Sequence, residues 1–205
     1  LNGVTGVISV SSENKRILLE HGLVDARKID VFPNSVDTTM FYPSERKRVR
    51  KKLGFPEDGF IIAFMGRLLH VKGPDRLANA IQQIDDEKIY SIFLGTGPLK
   101  PNCKNVLFCN TVQHFQVSEY LSAADIFVLP TKAEGCCNAI IEAMACGLPI
   151  VSSDLPFNDD ILTERNSIRI NPENIYEIRQ AIIQLRDNAS LRHEMSMASL
   201  YTAQQ

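Results

Sequence analysis

Short apolar runs alternate along the chain with stretches whose apolar positions recur at helical spacing. Residues 4–10 predict a buried strand. Ser11 and Ser12 can then cap a helix that carries Leu18 and Leu19 and stops at Gly22, a residue suited to a helix C-terminus. Residues 29–32 predict a second strand, closed by Pro33-Asn34-Ser35. Ser44 is read as the cap of a basic helix ending at Gly54. Residues 60–65 form the next strand and lead into Gly66. Pro74 suits the first turn of a helix, where its missing N–H costs nothing, and Leu77, Ala78, Ile81 and Ile84 give that helix its buried stripe. Further strands are expected at 89–94, 106–109, 125–129 and 149–152. Helices are expected at 117–124, 137–146, 172–186 and 189–203.

Strands alternating with helices imply βαβ units. The fold class is therefore α/β: a Rossmann-like, mostly parallel sheet with helices on both faces. Ligands of such sheets bind beyond the C-terminal ends of the strands. Residues 1–43 hold an incomplete strand–helix–strand unit and a loop, and are expected to be the end of a preceding domain and a linker. Residues 44–205 form the main unit. The chain begins at Leu1 and stops at Gln205 within a helical pattern, so a piece of a longer protein is expected.

Composition narrows the class. With 205 residues, 44% hydrophobic and 22% charged, the chain can bury a core of ordinary size. Lys and Arg number 22 against 24 Asp and Glu, a net charge of −2, which argues against a nucleic-acid partner. No apolar run approaches the ~18 residues of a membrane span. The five cysteines include no CxxC pair, so neither a disulfide framework nor a zinc site is expected, and a reducing cytoplasmic compartment fits. His21, His70, His114 and His193 are too dispersed for a metal site.

Two segments carry candidate chemistry. In the first, Gly66-Arg67-Leu68-Leu69-His70-Val71-Lys72-Gly73, a strand hands over to a helix. Small residues there let backbone N–H groups approach an anion, Arg67 offers a planar fork to phosphate oxygens, and Lys72 a point charge. The plainer alternative is a loop with two solvated cations. In the second, residues 134–149, Glu134 and Gly135 follow a strand, and Gly135, Cys136, Cys137 and Asn138 form a helix entrance with free N–H groups and the positive end of the helix dipole. Glu142 sits about a turn further on. Carboxylates beside an anion-binding helix suit sugar hydroxyls, which donate to them; the alternative is a dipole-stabilising acid and a solvated one. Ile140, Ile141 and Met144 are core positions. The same helix entrance can lower a thiol pKa at Cys136 or Cys137, although space filling is the plainer role.

Competing signatures fail on spacing. A dinucleotide fingerprint starting at Gly95 needs a third glycine where Lys100 stands, and a P-loop starting at Gly66 needs glycine where Val71 stands. Arg46, Lys47, Arg48, Arg50, Lys51 and Lys52 lie on a helix with only Val49 and Leu53 apolar; this reads as a solvated face, or as contact with an anionic membrane.

Taken in order, several segments resemble the C-terminal, donor-binding domain of a GT-B glycosyltransferase of the retaining family 4. They are Pro33-Asn34-Ser35-Val36-Asp37, Gly66-Arg67 with Lys72-Gly73, Gly95-Thr96-Gly97-Pro98-Leu99, Ala124-Asp125-Ile126, and Glu134-Gly135 through Glu142-Ala143-Met144-Ala145 to Gly147-Leu148-Pro149. The two glutamates stand eight residues apart, as in that family's E-x7-E motif. The resemblance implies a nucleotide-sugar donor, UDP- or GDP-linked. Gly66 would admit its diphosphate, and Arg67 and Lys72 would bind and stabilise the departing charge. Glu134 would contact sugar hydroxyls, and Glu142 the ribose. The backbone at Cys136, Cys137 and Asn138 would face sugar and phosphate, with Thr111 and Val112 beside the base. Glu134, Arg67 and Lys72 are the implied catalytic set. No metal or other cofactor is implied, and the acceptor, a glycan or lipid-linked saccharide, would come through an N-terminal domain, with possible work at the inner face of the membrane. Other GT-B enzymes, such as a sugar-nucleotide epimerase or a phosphorylase, and a non-catalytic nucleotide-binding module are the alternatives. The chain departs from the pattern at Asn34-Ser35, where Asn-Gly is usual, in the short connection from Leu99 to Val106, and at Phe157-Asn158-Asp159-Asp160-Ile161, where a glycine-rich stretch is usual.

Overall fold

The computed structural model describes residues 3–205. Its larger part is a six-stranded sheet made of β3 (Phe60–Met65), β4 (Ile89–Leu94), β5 (Val106–Asn110), β6 (Ile126–Leu129), β7 (Ile150–Ser153) and β8 (Ser167–Ile170). The spatial order is β5-β4-β3-β6-β7-β8, and every neighbouring pair is parallel. The central strands are apolar on both faces because helices cover both, as the sequence pattern predicts: Ile61, Ile62, Ala63, Phe64, Phe127 and Val128 are fully buried. α3 (Pro74–Gln82) packs on α6 (Ile175–Asp187), α2 (Arg46–Leu53) on α4 (His114–Ala123), and α5 (Asn138–Ala145) on α7 (Ala189–Ala203). The chain order reverses between β3 and β6, so the loops after these two strands flank a natural ligand cleft.

A separate two-stranded parallel sheet joins β1 (Val7–Ser9) to β2 (Ile29–Val31), with α1 (Ser12–Glu20) between them. The buried strand expected at 4–10 is corrected here. Only three residues pair, and Ile8 and Phe32 are 72% and 61% exposed. Two strands with one short helix leave a face without cover. Ser11 does cap α1, its hydroxyl accepting from the Asn14 N–H at 3.2 Å.

Three other expectations change. β8 is absent from the sequence reading, because Ser167-Ile168-Arg169-Ile170 is short and half polar; it forms the outer strand, where one edge and part of a face stay open. Ser44 does not cap α2. Glu45 precedes the helix without a side-chain cap, while the Ser44 N–H donates to Ser122 Oγ at 3.2 Å. α4 begins at His114, ahead of the expected 117, because Gln113 and Gln116 form a reciprocal capping pair.

The basic helix is also not wholly a solvated face. Arg50 is 3% exposed. Its guanidinium reaches Asp125 Oδ2 at 2.7 Å and donates to the carbonyls of Ala123, Glu57 and Gly59. Arg46 meets Asp125 Oδ1 at 3.0 Å, and Lys52 meets Glu119 at 2.5 Å. Lys47, Arg48 and Lys51 remain exposed. Among the described residues, no helix is long and apolar enough to cross a membrane.

Candidate functional site

The candidate residues gather at the C-terminal edge of the large sheet. Gly66 and Arg67 follow β3, Thr111 and Val112 follow β5, and Glu134 and Gly135 follow β6. The topology brings the two candidate segments together. Lys72 Nζ and Glu134 Oε1 form an ion pair, with both side chains mostly buried. The Arg67 side chain is exposed and makes no hydrogen bond or ion pair among the described residues.

The loop carrying Arg67 is held by glycines. Gly95 N–H donates to Asn110 O, Gly66 N–H donates to Leu94 O at 3.0 Å, and Leu68 N–H donates to Thr96 O at 2.9 Å. A Cβ on Gly95 would stand 2.0 Å from Gly66 O, and one on Gly97 2.4 Å from Leu68 O. Gly95 and Gly97 thus serve close packing of two loops. Gly66 itself has φ +153°, which favours glycine, and a built Cβ would have the Phe64 ring and the Lys72 side chain as its nearest neighbours, at 3.8 Å or more, in ordinary contact. Behind the loop, the buried Arg76 fixes the backbone by donating to His70 O, Pro130 O and Pro172 O. His70 pairs with Asp75 at 2.9 Å on the exposed side.

The second segment ends in α5. Its N-cap is Cys137, with no side-chain cap. Among the described residues, the N–H groups of Gly135, Cys136, Cys137, Asn138 and Ala139 have no hydrogen-bond acceptor. These donors and the helix dipole favour an anion. Residues of the N-terminal segment wall this entrance. Asn34 Nδ2 donates to Asn138 Oδ1 at 2.7 Å, and a Cβ on Gly135 would meet Asn14 Nδ2 at 3.3 Å and Val10 at 3.6 Å. The thiols are not activated there, contrary to one expectation. Burial raises Cys136 and pushes Cys137 up to about 12, with the Glu134 carboxylate adding to both.

Glu142 lies on α5 with its side chain largely buried. Burial raises its carboxyl above the usual range, and a hydrogen bond from His114 partly opposes this. His114 Nε2 stands 3.3 Å from Glu142 Oε1. In the sequence His114 is one of four dispersed histidines; its relation to Glu142 spans 28 residues and needs the α4–α5 packing to appear. Glu142, His114, Phe41, Asp37 and Asn138 line a cavity of about 330 Å³. Thr111 is exposed and Val112 packs on the core, both on the loop entering α4. Arg67, Lys72 and Glu134 do not line this cavity; Arg67 is exposed, while the Lys72 and Glu134 side chains are mostly buried. Among the described residues, no cluster of three or more His, Cys, Asp or Glu side chains is placed to hold a metal ion.

Solved structures share this architecture. Sucrose-phosphate synthase from Thermosynechococcus elongatus matches 100% of this chain and 54% of its own, with TM-score 0.86 and 22% identity. Anabaena Alr3699/HepE, in complex with UDP-glucose, matches 98% of this chain and 59% of its own, with TM-score 0.86 and 19% identity. The fold is the α/β, Rossmann-like half found in GT-B glycosyltransferases. The family model "Glycosyl transferases group 1" matches residues 45–199, and the chain belongs to that family. A putative teichuronic acid biosynthesis glycosyltransferase, TuaC, from Bacillus subtilis (strain 168), is 30% identical over 184 residues, covering 85% of this chain. The chain spans about half the length of that relative, 47%.

Proposed function

We propose that this chain carries the nucleotide-sugar donor site of a retaining glycosyltransferase, and that residues 1–43 are the end of a preceding acceptor domain and its linker. The observation that carries the reading is the convergence of an unpaired Arg67, the Lys72–Glu134 pair and the acceptor-free N–H groups of Gly135 to Ala139 at one sheet edge. An unpartnered guanidinium, a lysine and a helix N-terminus suit a diphosphate. Carboxylates on either side of that helix entrance suit the hydroxyls of the sugar and of the ribose. The UDP-glucose complex of the structural relative HepE supports the same donor class.

In this reading the diphosphate lies across Arg67, Lys72 and the α5 entrance. Glu134 accepts from donor-sugar hydroxyls, and Glu142 from the ribose. Thr111 and Val112 flank the base. As the bond from the anomeric carbon to the diphosphate breaks, charge grows on the leaving oxygen, and the two cations and the N–H groups stabilise it more than they stabilise the ground state. The acceptor hydroxyl attacks on the face the diphosphate leaves, giving its proton to the departing oxygen, so configuration is kept without a protein nucleophile. The cations and the helix do the work that a metal does in other transferases. The acceptor, a glycan or lipid-linked saccharide, is brought by the domain that precedes residue 44.

Thermal unfolding of the 205-residue chain against UDP, GDP, ADP and their sugar conjugates tests this. A ligand at 100 times its Kd adds about 2.7 kcal/mol and raises Tm by about 5–10 °C. A rise with one nucleoside diphosphate supports the donor site and identifies the base; no rise with any of the three overturns it.

A further inference from the structure

The Glu142 carboxylate has a partner that the family resemblance does not supply. His114, the first residue of α4, directs Nε2 at Glu142 Oε1 from 3.3 Å. Its ring is steadied on the other side by the buried Phe41, edge to face, at 5.3 Å between centroids and 61° between planes. Phe41 is fixed in turn, its N–H donating to Asp37 O at 2.8 Å. The imidazole therefore sits between a rigid aromatic wall and a largely buried carboxylate, and all three line the 330 Å³ cavity.

We infer that His114 is a positioning residue for ribose recognition: by holding Oε1 of Glu142, it directs the carboxylate to the 2′-hydroxyl of the donor nucleoside. This rests on the donor-site reading and adds a residue to it. A carboxylate on a three-torsion side chain loses rotamer freedom when it grips a ligand, and a partner that has already restricted it lowers that loss. The hydrogen bond leaves Oε2 and the second lone pair of Oε1 for hydroxyl donors. Because the imidazole side chain is 66% exposed, its removal leaves the core intact.

The test is the preference for ribo- over 2′-deoxyribonucleotides. Dissociation constants are measured on the 205-residue chain for UDP and dUDP, GDP and dGDP, and ADP and dADP, in the native chain and in His114→Ala and His114→Gln. The native chain is expected to prefer the ribonucleotide about tenfold or more, as fits a hydroxyl bonded to a charged acceptor. His114→Ala should bring that preference to within about threefold while leaving the deoxyribonucleotide constant almost unchanged. His114→Gln, whose amide also donates, should restore it. An unchanged preference in His114→Ala, or equal weakening of both nucleotides, overturns the positioning role and leaves the donor site standing. Binding of none of the three diphosphates to the native chain overturns the donor site, and the role of His114 with it.

Discussion

Lys72 and Glu134 face each other as a largely buried ion pair, joining the loop after β3 to the loop after β6. Among the described residues, Arg67, five residues before Lys72, has no such partner. The two cations of the proposed diphosphate site therefore have different relations to the fold. Replacing Arg67 with Ala should leave Tm within about 1 °C, since exposed unpaired side chains contribute little. It should weaken nucleoside diphosphate binding by about 1.5–3 kcal/mol, roughly 10- to 150-fold. Lys72→Ala should weaken binding similarly and also lower Tm, because Glu134 would lose its ion-pair partner in a largely buried position. Calorimetric titration and thermal melts of the two variants separate these outcomes.

In the proposed donor site, Glu142 sets ligand binding against stability. Burial raises its carboxyl above the value it has in the unfolded chain, so the native state resists its ionisation. Below the unfolded value both states are protonated and the group contributes nothing. As pH rises through the higher native value, the unfolded state releases the proton more readily and the fold is weakened. Glu142→Gln should therefore raise Tm at pH 7, and the gain should vanish as pH falls below the ordinary carboxylate range. The same substitution should remove most of the affinity for nucleoside diphosphate. Melts across pH 4 to 8 with parallel binding isotherms check both signs.

Gly95 is placed by packing. A methyl group there would meet Gly66 O at 2.0 Å, and its φ of +153° suits no L side chain. Gly95→Ala should cost about 2–5 kcal/mol from strain and overpacking together. It should also shift the Gly66–Leu68 backbone, so diphosphate binding should fall further than stability alone explains. Chemical denaturation with binding measured well below the midpoint distinguishes the two.

The buried ion pair of Arg50 and Asp125 anchors α2 under the sheet. Asp125 Oδ2 accepts from Arg50 and from the Ile61 N–H, both at 2.7 Å, and Oδ1 accepts from Arg46. Truncating either partner strands the other. Asp125→Ala and Arg50→Ala should each cost about 3–5 kcal/mol. In a chain of this size that lowers Tm by roughly 6–20 °C. Their double-mutant cycle should show strong coupling.

Most of the large sheet is legible in the sequence because its inner strands are unbroken apolar runs; β3, β4, β6 and β7 stand close to where the pattern places them. β8 is not legible, since an outer strand needs no such run and Arg169 interrupts it. Ile8 misleads for the opposite reason, being apolar yet uncovered in a two-stranded sheet. At the site, the segments around Arg67 and Glu134 are visible as loops after strands. Pairings between distant positions are not. Arg50 counts as one more surface cation until Asp125, 75 residues on, is placed against it, and His114 is a stray histidine until α4 lies beside α5. Cys137 shows a different limit: a helix entrance is readable, but the depth at which it is buried is not.

The chain reversal between β3 and β6 also bears on how the site comes into being. β3 and β4 pair across one crossover that holds α3, whereas Ile62 meets Ile126 only when a loop of more than sixty residues has closed. Loop closure of that length is an entropic expense met late in folding. Lys72 and Glu134 lie just beyond those two strands, so in the proposed donor site neither segment completes the diphosphate cradle with its neighbour unplaced. Occupancy by a nucleotide is then a reporter of completed topology: during refolding it should lag the recovery of helical signal, and it should follow the slowest phase.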